Sequence, residues 1–124
     1  MNHIESQIQQ TIVAGVRLMP GGELLFHIPN GFKISGTPTQ RRARGARWKR
    51  EGLLPGVPDL FLPVARDGWH GLFIEVKEPV NGKLSKVQRD FIEDVKPYGF
   101  LTIVVDNAQD GIDLVREYLK GEAT

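Results

Sequence analysis

The stretch from Asp59 to Lys77 constrains this chain most, because it sets two apolar segments on either side of an Asp67-Gly68 dipeptide. Asp59-Leu60-Phe61-Leu62-Pro63-Val64 and Gly71-Leu72-Phe73-Ile74-Glu75-Val76-Lys77 have the length and composition of strands, and Asp-Gly is a strong hairpin-turn signal. Successive strand side chains point to opposite faces, so Glu75 and Lys77 project from one side while Val76 enters the core. A two-residue turn at Asp67-Gly68 pairs positions summing to 135, which opposes Leu60 to Glu75 and sends Asp59 to the wrong face. Asp59 and Glu75 converge only if paired positions sum to 134, which demands an odd-numbered loop about Asp67 or a bulge. Two acids and a lysine on one face suit a hard cation and a phosphate.

The rest of the chain supplies little competing chemistry. Its 124 residues, 40% hydrophobic, can bury roughly two-thirds of the unfolded surface, enough for one core, so a single domain over residues 1–124 is expected. There is no cysteine, which excludes disulfides and thiolate metal sites and leaves oxygen or imidazole as ligands. Met1-Asn2-His3-Ile4-Glu5 lacks a signal-peptide pattern, and no apolar run approaches the roughly 20 residues of a membrane span. A soluble, cytoplasmic protein without a membrane partner is expected.

A net charge of +1 conceals an asymmetry. No acidic residue occurs between Glu23 and Glu51, where Lys33, Arg41, Arg42, Arg44, Arg47, Lys49 and Arg50 all lie. These are seven of the sixteen Lys and Arg; nine basic against fifteen acidic residues remain, a net −6 elsewhere. A solvated basic loop is the plain alternative. Without an accompanying apolar stripe, however, an arginine-rich segment suits phosphate backbones better than membranes.

Periodicity outlines the remaining elements. Ile4, Ile8, Ile12 and Val16 predict a helix over about 3–18, ended by Pro20-Gly21-Gly22, and Leu24–Ile28 reads as a strand. A short helix over 41–50, interrupted at Gly45, is the most the basic segment promises. Ser85-Lys86-Val87-Gln88 matches a capping box and predicts a helix over 86–96. Residues 100–105 are a β-branched strand, and Asn107 caps a last helix. The order αβββαβα describes an α/β fold, a mixed sheet flanked by helices.

This order, with Pro58-Asp59 and Glu75-Val76-Lys77 on consecutive strands, resembles the PD-(D/E)xK nuclease superfamily with its restriction-endonuclease-like core. More narrowly, Glu5, Pro29-Asn30-Gly31, Glu51-Gly52-Leu53, Gly56-Val57-Pro58-Asp59, Leu72–Lys77, Gly82-Lys83-Leu84-Ser85 and Gln88 together resemble the VRR-NUC domain, in its standalone minimal form. The resemblance implies a Mg²⁺-dependent nuclease, with Mn²⁺ able to substitute and no other cofactor. Asp59, Glu75, the Val76 carbonyl and Glu5 would be metal ligands, and Asp59, Glu75, Lys77, Glu5 and Gln88 would form the catalytic set. Lys77 would orient the attacking hydroxide or neutralise developing charge. Lys33, Arg41, Arg42, Arg44, Arg47, Lys49 and Arg50 would contact DNA.

Each residue also has a plain structural role open to it. Glu5 would favour the dipole of a first helical turn without any function, and Gln88 is a common residue at the third position of a capping box. Glu75 and Lys77 fit an ordinary surface ion-pair network, whereas aspartate directly before Leu60-Phe61-Leu62 is a poor strand former that such a network does not explain. His3, His27 and His70 share no ligand spacing and read as packing or surface residues. Standalone relatives resemble four-way-junction resolvases, so a homodimer acting on branched DNA is expected. A flap nuclease and a non-catalytic branched-DNA-binding module are the alternatives.

Overall fold

The computed structural model describes residues 2–29 and 35–124, which leaves Lys33 and the Asn30-Gly31 pair outside the described residues. In chain order the elements are α1 (His3–Val16), β1 (Phe26–His27), α2 (Pro38–Arg50), β2 (Leu60–Leu62), β3 (Gly71–Val76), α3 (Lys86–Val95), β4 (Phe100–Val105) and α4 (Ala108–Leu119). The sheet order is β1-β2-β3-β4; β1, β2 and β3 are antiparallel neighbours, and β4 runs parallel to β3. This is the mixed α/β architecture expected from the order of the segments, with α2 added.

The two faces of the sheet differ in chemistry. Leu60, Leu62, Leu72, Ile74, Val76 and Val105 meet Ile12 and Val16 of α1 and Val115 and Tyr118 of α4 in the core. Each fully buried leucine stabilises this layer by roughly 1.5–3 kcal/mol. The opposite face is aromatic: Phe61 packs against Phe73 with ring centroids 4.6 Å apart and planes tilted by 40°, and Phe91 of α3 meets Phe73 edge-on at 5.3 Å. Asp59 and Glu75 share the alternation of that aromatic face.

The hairpin between β2 and β3 resolves the parity condition. Leu60, Phe61 and Leu62 pair with Ile74, Phe73 and Leu72, so paired positions sum to 134. At the tip, Arg66 and Trp69 exchange backbone hydrogen bonds of 3.0 and 2.8 Å, a sum of 135. Asp67 and Gly68 both have positive φ, 51° and 85°, as a primed two-residue turn requires. The two registers are reconciled because three residues, Pro63-Val64-Ala65, on one arm oppose two, His70-Gly71, on the other. The turn is therefore two-residue and the extra residue lies below it, as a bulge does. The C-terminal segment clasps this tip: the Glu122 N–H donates to Asp67 Oδ1 at 2.8 Å, and Arg66 bridges to Ala123.

Two expectations change. The strand at 24–28 shrinks to Phe26–His27, because Gly22–Leu24 form a 3-10 turn and Leu25 packs into the core. The basic segment is not a broken helix from Arg41; α2 is continuous from Pro38 through Gly45 to Arg50. Thr37 and Gln40 form a full capping box and Pro38 occupies the first turn, where its missing N–H costs nothing. No residue of α2 is buried, so helical periodicity of apolar residues is absent from it.

Candidate active site

Glu75 is buried to 3% exposure within an apolar strand, the one charged residue so enclosed among the described residues. Extending the 134 register one step beyond Leu60 brings Asp59 opposite it, and the two carboxyls come within hydrogen-bonding reach. Asp59 Oδ2 also accepts the Val76 N–H at 2.8 Å. Burial, and then the Asp59 charge, push the Glu75 carboxyl up to about 8. Burial likewise raises Asp59; the Val76 N–H works against it, the Glu5 carboxylate adds to it, and Lys77 and His27 oppose it. Strongly shifted acids facing each other are the usual electrostatic mark of a working site.

Gln88 joins the acids to the lysine. Its Nε2 donates to Glu75 Oε1 at 3.1 Å, and its Oε1 accepts from Lys77 Nζ at 2.8 Å and from the Ser85 N–H at 2.8 Å. The capping role and the contact with the site are thus filled by the same amide. Lys77 Nζ lies 3.5 Å from Glu75 Oε1, with only 15% of its side chain exposed. Placement of α3 depends on Gly56, whose φ is 91° and whose Cβ, if present, would collide with the Val87 carbonyl. Gly56 thereby lets the loop carrying Pro58 and Asp59 lie against the peptide that precedes Gln88.

Glu5 stands in the first turn of α1, half-buried, near enough to act electrostatically on Asp59. Asn2, outside the set that the sequence motifs mark, caps α1 by accepting the Glu5 N–H at 2.8 Å and donates to Glu78 Oε2 at 2.8 Å. An asparagine directly before an apolar periodic run is the available signal. His27 is tied to the loop: its Nδ1 lies 3.0 Å from both the Asp59 carbonyl and Gln9 Nε2. The basic side chains Arg41, Arg42, Arg44, Arg47, Lys49 and Arg50 line the exposed α2, where Arg41 donates to the Gly36 carbonyl at 3.1 Å and Arg47 pairs with Glu51 at 3.2 Å.

The donor set can be tested against a divalent ion. Two oxygen donors forced together, both holding their protons more tightly than usual, leave a deficit of positive charge that a cation relieves. Among the described residues no three His, Cys, Asp or Glu side chains gather as a closed metal cage. An incomplete oxygen shell suits a hard ion such as Mg²⁺, which keeps several waters and is held by one or two carboxylates. Asp59 and Glu75 are therefore donors of a kind that could hold such an ion.

Comparison with known proteins gives a consistent picture. The VRR-NUC domain model matches residues 31–109. A solved structure named VRR_NUC domain protein is similar at 23% identity with a TM-score of 0.80, covering 99% of this chain and 93% of that one. No curated protein sequence matches.

Proposed function

The chain belongs to the VRR-NUC domain family, nucleases of the PD-(D/E)xK type, and on that premise we propose that it is a Mg²⁺-dependent, structure-selective DNA endonuclease resolving four-way junctions as a homodimer. The observation that carries the chemistry is the opposed Asp59–Glu75 pair bridged through Gln88 to Lys77. Asp59, Glu75 and the Val76 carbonyl would hold the metal, with Glu5, which acts electrostatically on Asp59, as a further acid. When bound, the ion stabilises charge on the phosphoryl oxygens and makes a coordinated water more acidic. Lys77 meets the phosphate from the same face and offsets charge growing on it. Gln88 fixes the rotamers of both Glu75 and Lys77, which keeps the ammonium aimed at the substrate.

Helix α2 supplies sequence-independent affinity, since exposed arginines on a regular scaffold bind phosphates and fix register without reading bases. Lys33, outside the described residues, is proposed as a further phosphate contact from the sequence alone. A single site cuts one strand, so paired incisions across a branch call for two copies related by a two-fold axis.

The test is a panel of labelled duplex, flap, fork and four-way-junction DNAs incubated with Mg²⁺, with sedimentation to fix the oligomeric state. Junction cleavage by a dimer, abolished in Asp59→Ala and Glu75→Ala, is the expected result. Faster cutting of a 5′ flap by a monomer would replace the junction as substrate. Undiminished activity in both variants would remove the site assignment, and metal-independent binding without any cleavage would point to a non-catalytic module.

A further inference from the structure

Three residues after Lys77 the backbone does something costly. Val80 has φ of 70°, a left-handed conformation that a β-branched residue rarely adopts, and the residue is 95% exposed. Neither packing nor turn chemistry accounts for valine there, since glycine or asparagine would sit more easily. The turn itself is firmly held. Gly82 N–H donates to the Glu78 carbonyl at 3.0 Å and Asn81 N–H to the Pro79 carbonyl at 2.8 Å, while a Cβ on Gly82 would collide with the Glu78 backbone. Asn2 fastens the Glu78 side chain from α1. A rigid turn thus presents one apolar side chain to solvent, and such strain gathers where function requires it.

Beside this turn lies an open cleft of about 490 Å³ at the carboxyl ends of β3 and β4, which Lys77 also lines. Val80, Leu84, Val104 and Leu114 form apolar walls, and Glu78, Asp106 and Asp110 place carboxylates around them. Those carboxylates repel a phosphodiester backbone yet accept hydrogen bonds from the amino and imino groups of a base. The volume falls within the roughly 300–1,000 Å³ of ordinary ligand sites.

We propose that this cleft takes an unstacked nucleobase adjoining the scissile phosphate, with Val80 as the apolar wedge that opens the stack. The assignment rests on the nuclease reading and adds how branched DNA is selected. A phosphate at Lys77 leaves its neighbouring nucleotide within reach of the cleft, and apolar side chains inserted at base steps are an established way to unstack DNA. Unstacking costs least where a base is already poorly stacked, as at a branch, so the wedge favours branches over continuous duplex.

Val80→Gly and Val80→Asn test this without endangering the fold, because both residues tolerate positive φ and their melting temperatures should equal or exceed the wild type. A four-way junction carrying 2-aminopurine at the branch nucleotide is bound with Ca²⁺ in place of Mg²⁺, and cleavage is followed in parallel with Mg²⁺. Wild type should raise the fluorescence, both variants should not, and their cleavage should fall about tenfold, the loss of one apolar contact the size of a valine side chain. An abasic site at that nucleotide, which leaves no base to unstack, should bring Val80→Gly back to the wild-type rate. An equal fluorescence rise in wild type and variants overturns the wedge. Wild-type cleavage with no rise overturns the wedge alone; a rise lost in the variants without cleavage upholds the base site and removes the nuclease reading; neither signal removes both.

Discussion

The Asp59 carboxylate accepts the backbone N–H of Val76 at 2.8 Å, which ties the first acid to the strand that carries the second. Asp59 therefore has a scaffold role and a charge role that different substitutions separate. Asn keeps an acceptor for the Val76 N–H and removes the repulsion with Glu75; Ala removes both. Asp59→Asn should melt at or above wild type in EDTA, whereas Asp59→Ala should lose about 1–3 kcal/mol from the unsatisfied N–H. Both should lose at least about 100-fold in Mg²⁺-supported cleavage, beyond the range typical of outer-shell changes. Denaturant melts in EDTA read the first role and single-turnover cleavage reads the second; an Asp59→Asn protein that still cuts normally would contradict the metal assignment.

Stability and metal binding should both follow pH. Glu75 rises from its ordinary 4.5 to about 8 on folding, and Asp59 rises with it. A carboxyl raised in the folded state binds protons more tightly there, so its contribution is complete below the unfolded value and is lost as pH climbs toward 8. Metal-free protein should accordingly lose stability between about pH 4.5 and 8. Mg²⁺ competes with the same protons, so its stabilising effect should grow over that window and binding should release protons. Thermal melts with EDTA or Mg²⁺ across pH, and calorimetry in buffers of different ionisation heat, provide the measurement; a metal effect independent of pH would oppose the raised pair.

Gln88 offers a way to divide capping from positioning. Gln88→Glu preserves the capping-box residue type, so the melting temperature at neutral pH should stay near wild type, yet it places a third carboxyl against Glu75. Gln88→Ala gives up the side chain's bonds to the Ser85 N–H, Glu75 and Lys77, and should cost about 2–4 kcal/mol. Cleavage should fall about 10–100-fold in both. If Gln88→Glu keeps full activity at an unchanged pH optimum, the residue is a cap alone.

Replacing Arg42, Lys49 and Arg50 of α2 together by Gln should leave stability within about 0.5 kcal/mol for each site, because all three are exposed. Their effect should appear in DNA affinity and its salt dependence. If Lys33 and the six basic residues of α2 all met phosphate, the log-log slope would reach about −6, and three substitutions would reduce it by about 3. Fluorescence anisotropy on a labelled junction at several salt concentrations reads this. A slope unmoved by the triple substitution would place DNA on another surface.

Much of this arrangement was legible in the sequence, and the reasons for the exceptions are physical. A two-residue turn alone predicts a 135 register, and convergence of Asp59 with Glu75 demands 134; the extra residue at Pro63-Val64-Ala65 reconciles the two. Gln88 could be read twice, as cap and as site residue, because its position served both. Helix α2 buries nothing, so it lacks the periodicity that reveals helices, and its Gly45 resembles a break although one glycine costs only about 1 kcal/mol. The capping box from Thr37 to Gln40 was the better signal. The left-handed Val80 had no signature, since its conformation contradicts what its residue type prefers.

The odd residue on the Pro63 arm makes the hairpin a parity lock. Adding or removing one residue between Leu62 and Leu72 without a compensating bulge slides the pairing by a single step and turns Asp59 away from Glu75, while the greasy partners Leu60 and Leu62 swing toward the aromatic side. Two residues can be gained or lost without that reversal. Even strides in the length of this hairpin therefore pass freely over evolutionary time, whereas an odd one must be met by a bulge gained or lost.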